Sequence, residues 1–248
     1  MSVLFEGPVG TGPAEAGPAG AGLPSRRGMD EAEVLDRRRS ASGEVVLRRR
    51  GGHCEVIVNG CFLMDTVDGR SERLLVAAAA AELAGVRRPS VLIGGLGVGF
   101  SLAHAAAEPR WGRIAVVERE EAVIDWHRTG PLGAFSAGAL DDPRVEVLHT
   151  DLVAYLAAAG ERYDALCLDI DNGPDWTVGA ENDRLYGPVG LAAAAARLNS
   201  GGVLAIWSAQ PSAAFERALR AAGFTGVRSE EIAVERGVPD VVHLARRA

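Results

Sequence analysis

The chain has 248 residues, 48% of them apolar, a formal charge of −7 and an isoelectric point near 5.3. That length supports one sizeable domain with at most a small addition, and the acidic balance gives no support for a nucleic-acid-binding face. Three cysteines without a CxxC spacing and five histidines without HxxxH or HExxH offer no metal site and fit reduced cytoplasmic thiols.

Residues 1–28 hold seven glycines and four prolines among small residues. Such a composition buries too little surface to offset its ordering entropy, so a flexible tail is expected. It lacks the basic leader and continuous apolar core of a secretory signal, which points to the cytoplasm. Residues 29–70 read as a small β region. GEVVLRRR (43–50) and CEVIVNGCFLMD (54–65) alternate apolar and polar positions around Gly51-Gly52, with Asn59-Gly60 as a second tight turn. The arginine runs 37–39 and 48–50 read as solvated surface. SERLLVAAAAAEL (71–83) is a strong helix with Ser71 as its cap.

From residue 90 strands and helices alternate, so residues 71–248 form the main domain. SVLIGG, RIAVVE, VEVLHTD, DALCLDI and GGVLAIWSA are near-continuous apolar strands, each followed by a helix, and two strands near 227–235 and 240–246 close the chain. Residues 89–107 lack Asp, Glu, Lys and Arg, the length of a membrane span, but Pro89, four glycines and His104 make a strand, turn and helix of it and leave no membrane partner. Apolar strands separated by helices predict a mostly parallel, doubly wound, Rossmann-like α/β sheet. Ligands of such sheets sit beyond the carboxyl ends of the strands.

Four strand ends are then candidates. GGLGVG (94–99) supplies Gly94, Gly95, Gly97 and Gly99, a loop that lets a ligand approach the main chain or simply packs tightly. Glu118 ends the second strand 19 residues beyond Gly99, where an acid accepts hydrogen bonds from ribose hydroxyls. Asp151 ends the third strand, either as an acceptor for an adenine amino group or as the cap of the helix that follows. In LDIDNGP (168–174) a turn accounts for Asn172 and Gly173; Asp169 and Asp171 project into the cleft as base or charge partner.

Acids and a glycine loop at successive strand ends resemble the class I S-adenosylmethionine-dependent transferases. Within them VIVNGCFLMDTVDGRSERLL, DDPRVEVLHTD, YDALCLDID and LYGPVGLAAAAARLNSGGVLAIW resemble the spermidine/spermine synthase family, the polyamine aminopropyltransferases, over roughly residues 43–210. The resemblance implies a transferase that takes S-adenosylmethionine or its decarboxylated form as co-substrate, without a metal, on a small-molecule acceptor, in a homodimer. It implies that Glu118 binds the ribose hydroxyls and Asp151 the adenine amino group, that the four glycines lie near the methionine-derived part, and that Asp169 is the general base. Asp171, Asn172 and Tyr186 would line the acceptor pocket, and Trp176 in the polar loop that follows is either a packing anchor or a lid over it. The family's loop acid falls on Gly97, its last fourth-strand acid on Asn172, and its hairpin glutamine on Leu63. These departures predict an acceptor other than an ordinary polyamine. A methyltransferase acting on a small or peptide acceptor and a non-catalytic nucleoside-binding homologue are the competing expectations.

Overall fold

A computed structural model describes residues 32–170, 172–175, 177, 182–234 and 238–248. The expected tail at 1–28, Asp171 and Trp176 fall outside the described residues. The small region is a four-stranded antiparallel sheet in sequence order: β1 (Glu33–Ser40), β2 (Gly43–Arg50), β3 (His53–Val58) and β4 (Cys61–Asp65). The Asn59-Gly60 turn forms as predicted, both residues at positive φ, and the Asn59 amide locks it by accepting Glu44 N–H at 2.9 Å and donating to the Ser42 carbonyl at 2.8 Å.

The main sheet has seven strands in the order β10-β11-β9-β8-β5-β6-β7. These are β5 (Ser90–Gly94), β6 (Arg113–Glu118), β7 (Val145–His149), β8 (Tyr163–Leu168), β9 (Leu198–Ser208), β10 (Phe224–Ile232) and β11 (Asp240–Arg247). The strands from β5 to β9 pair in parallel, while β11 pairs antiparallel with both β9 and β10. This is the mostly parallel, Rossmann-like α/β sheet that the apolar strands predict. The helices are α1 (Arg70–Glu82), α2 (Phe100–Ala107), α3 (Glu121–Arg128), α4 (Gly133–Ser136), α5 (Leu152–Ala157), α6 (Asp183–Tyr186), α7 (Pro188–Ala196) and α8 (Ala213–Ala221).

The period of two along each strand divides the core between two faces. Val91, Ile93, Ile114, Val116, Ala165 and Cys167 pack with α1, α2, α3 and the small sheet. Leu92, Ala115, Val117, Leu166 and Leu168 pack with α5, α7 and α8. The small sheet joins the first of these cores, and Val56, Val58 and Met64 face Gly95 and Glu118 across a cavity at the carboxyl ends of β5 and β6.

Two local expectations are corrected. β1 has the sequence EVLDRRRS, without apolar alternation, and was not legible as a strand; its backbone ladder with β2 is flanked by ion pairs. Arg37 pairs with Glu44 and Arg49 with Glu33 across the ladder, while Arg38 bridges Asp36 and Asp125 and the Trp126 indole donates to Asp36 at 2.8 Å, which ties β1 to α3. Ser71 does not cap α1. The helix begins one residue earlier with Gly69 at its N-cap, and the buried Ser71 hydroxyl donates to Glu72 Oε2 at 3.0 Å.

Candidate active site

The chain runs out from β5 to β6 and β7, then returns to β8 on the other side of β5, so strand order reverses between β5 and β8 and opens a crevice at their carboxyl ends. The strand tips there are laced together. Gly95 N–H donates to Val117 O at 2.9 Å, and Asp169 N–H donates to Gly94 O at 3.0 Å. Gly95 has φ +90, and a Cβ built on it would lie 2.7 Å from the Asp169 carbonyl oxygen, so only glycine admits the loop after β8 this closely. Gly97, at φ +52, faces the Met64 sulfur from the small sheet, 3.2 Å from where its Cβ would be.

Glu118 is buried at the tip of β6, where it binds the glycine loop. One carboxylate oxygen accepts Leu96 N–H at 2.9 Å and the other accepts Glu120 N–H at 2.8 Å. Burial raises its pKa, and those backbone donors pull it back. The spacing of 19 residues between glycines and acid thus has an internal cause as well as a proposed external one. Asp151 caps α5, accepting Ala154 N–H at 2.8 Å on Oδ1. The capping alternative is realised, and Oδ2 is left for other donors.

Two cavities meet here. The first, about 350 Å³, lies between the small sheet and the strand tips and is lined by Val56, Val58, Glu118, Asp151, Ile170 and Asn182 among others. The second, about 270 Å³, lies beside it under β4, α1 and the start of β11, and its wall carries Asp65, Asp68, Glu72 and Asp240 together with Trp207. Leu63, Met64, Gly97 and Asp169 line both.

Asp169 therefore stands at the junction. Burial, then the neighbouring carboxylates of Glu72 and Asp240, push its pKa up to about 8. Glu72 and Asp240 are themselves raised, again by burial first. Adjacent carboxylates in a half-buried pocket disfavour one another's ionised forms, and a cation placed among them restores ionisation.

Of the sequence candidates, Gly95, Gly97, Glu118, Asp151 and Asp169 line the first cavity and Gly99 the second. Gly94 lies beneath, where a side chain would meet Leu152 and Leu168. Asn172 and Tyr186 are not among the residues lining either cavity. The Asn172 carbonyl accepts Ala209 N–H at 3.1 Å, and the buried Tyr186 hydroxyl donates to Ile170 O at 2.9 Å while its ring packs edge-on against Phe215. Sequence reading missed Asp65, Asp68, Glu72 and Asp240. The spacing of three and four between Asp65, Asp68 and Glu72 was the available signal; nothing local linked Asp240 to them. These four carboxylates share the lining of the second cavity with Gly97. Among the described residues no cluster of three or more His, Cys, Asp or Glu side chains is arranged to hold a metal ion, and no helix is long and apolar enough to cross a membrane.

No family model matches the chain. It is 34% identical over 125 residues to a polyamine aminopropyltransferase of Mycobacterium tuberculosis, a match that covers 49% of this chain and 23% of that one. It is 35% identical over 124 residues to the polyamine aminopropyltransferase of Corynebacterium efficiens, covering 49% and 22%. The match thus spans less than a quarter of these relatives' length. Among solved structures, spermidine synthase from Thermotoga maritima superposes with a TM-score of 0.69 at 16% identity, over 87% of this chain and 73% of that one. A spermidine synthase in complex with the transition state analogue AdoDATO gives 0.69 at 17% identity over the same shares. At such identities the structural likeness is one of fold. Over about half its length the chain is thus similar in sequence to polyamine aminopropyltransferases, and over most of its length it shares the methyltransferase-type fold of the two spermidine synthases.

Proposed function

We propose that the chain is a transferase that moves an aminopropyl group from decarboxylated S-adenosylmethionine to a cationic amine. One observation carries the reading: Asp169 is a carboxylate common to two adjoining cavities, one lined by Glu118 and Asp151 at successive strand ends and one walled with acids. The donor occupies the first cavity. Glu118 accepts from the ribose hydroxyls with the lone pairs its backbone bonds leave over, and Asp151 accepts from the adenine amino group with its uncapped oxygen. The acceptor enters the second cavity, where Asp65, Asp68, Glu72 and Asp240 hold its ammonium groups.

The sulfonium supplies an electrophilic carbon when bound. The amine nitrogen forms the new N–C bond, the C–S bond breaks with its electron pair going to sulfur, and the nitrogen's proton passes to Asp169. Both substrate cations favour the ionised form of Asp169 that this step requires. The acid-lined wall argues against the methyltransferase alternative, because the carboxylate of S-adenosylmethionine would face like charges there. The measurement is mass spectrometry of products from both sulfonium nucleosides with a panel of diamines. Aminopropyl transfer from the decarboxylated donor is expected. Methyl transfer, or no product with any amine, would overturn the reading.

A further inference from the structure

We propose that His127 is a positioning residue for this transfer, fixing the Gly97 peptide where the two cavities meet; the proposal rests on the transferase reading above. His127 lies on α3 and is 4% exposed, and neither cavity is lined by it. Its Nε2 lies 2.9 Å from the Gly97 carbonyl oxygen. A carbonyl only accepts, so Nε2 carries the hydrogen. Burial pushes the imidazole pKa below its ordinary value, and the backbone of Gly97 and Leu132 partly offsets that.

The fit around the ring is close. A Cβ at Gly99 would lie 2.6 Å from His127 Cε1, so the glycine at the start of α2 is needed to admit the imidazole. Glu118 holds the neighbouring residue from the other side by accepting Leu96 N–H, and it accepts Glu120 N–H at the start of α3 as well. Consecutive loop residues are thus gripped by an acceptor on β6 and a donor on α3. The Gly97 peptide borders both cavities and its φ of +52 is outside the range most residues favour. Without the imidazole donor its half-buried carbonyl loses that partner and the peptide is free to turn. His127 therefore acts through Gly97, with no contact to substrate.

Three variants separate a donor from a filler. In His127→Gln the side-chain amide nitrogen reaches the place of Nε2; in His127→Asn it reaches only the place of Nδ1; His127→Leu fills the volume with no donor. Affinity for 5′-methylthioadenosine by calorimetry and hydrogen exchange at the Val98 and Gly99 amides are measured on the whole chain. His127→Gln is expected to stay near wild type in both. His127→Asn and His127→Leu are expected to weaken the nucleoside roughly five- to a hundredfold and to speed exchange, the range for a buried hydrogen bond left unmade. Equal behaviour of Gln and Asn, or a Leu variant that binds and exchanges like wild type, overturns the proposal. A wild-type chain that takes up no nucleoside sinks the transferase reading instead, and the exchange rates then decide the role of His127 in the loop by themselves.

Discussion

The two cavities differ in how their walls are assembled. The first takes its polar groups from the tips of neighbouring parallel strands, Glu118 on β6, Asp151 after β7 and Asp169 after β8, and each carboxylate of the first two already grips a backbone amide. Its acids are half-spent on building the fold. The second gathers Asp65, Asp68, Glu72 and Asp240 from the small sheet, the connecting loop, α1 and the last strand. Several of its acids are raised in pKa by burial and by one another, so this wall is poised for a positive guest. The first cavity grows from topology, whereas the second depends on where an added sheet and a terminal strand come to rest.

The sharpest way to break this contrast is at the junction. Asp169→Asn is expected to lower kcat/KM by about 10²–10⁴, the usual contribution of a positioned base, while nucleoside affinity measured by calorimetry stays close to wild type. Unchanged turnover would remove Asp169 from the mechanism.

Next come the acids of the second cavity. Glu72→Gln and Asp240→Asn are each expected to raise the acceptor KM roughly ten- to a hundredfold, the value of a charged hydrogen bond, and to leave the donor Kd unchanged. Steady-state kinetics with the amine varied gives the answer; a shift in donor affinity instead would merge the two cavities into one.

The pH dependence sharpens the same point. Activity in the free enzyme should rise with pH as Asp169 ionises near 8, and Glu72→Gln should move that limb to lower pH by removing a negative neighbour. Stability runs the opposite way. With its folded pKa raised from 3.8 to about 8, Asp169 binds more protons folded than unfolded, so its contribution is lost as pH rises through that window. Asp169→Asn should therefore gain in thermal midpoint over wild type at alkaline pH and lose the advantage in acid.

Smaller effects separate structure from binding. Asp151→Asn keeps a capping side chain and Asp151→Ala does not, so thermal denaturation should show a cost of about 1 kcal/mol for alanine only. A nucleoside affinity lost equally in both variants would place the adenine contact on the carboxylate. Tyr186→Phe removes the hydrogen bond to Ile170 and should cost about 1 kcal/mol of stability with no change in acceptor KM.

Much of the fold was legible because the strands from SVLIGG to GGVLAIWSA are apolar on both faces and their helices are rich in alanine. The first cavity was legible for the same reason, since its acids end those strands in order. β1 escaped because EVLDRRRS carries no apolar alternation and its side chains meet Glu44, Arg49 and Asp125 through ion pairs, and no periodicity records a cross-strand charge. Tyr186 was read toward the acceptor from its neighbourhood, but α6 turns its ring against Phe215 and its hydroxyl toward Ile170. The second cavity escaped for a reason of topology. Glu72 and Asp240 are 168 positions apart in the chain (240 − 72) and meet only because β11 inserts beside β9, next to α1. Gly97 and Asn172 showed where acids were absent; only the packed chain shows where others stand.

The most direct measurement is a calorimetric comparison of S-adenosylmethionine with its decarboxylated form on the same wild-type chain. If the second cavity is an acid-walled seat for amines continuous with a nucleoside site, the decarboxylated compound binds more tightly, and the preference shrinks in the Glu72→Gln, Asp240→Asn double variant. Equal or tighter binding of the carboxylate-bearing compound to wild type would contradict that division of the crevice.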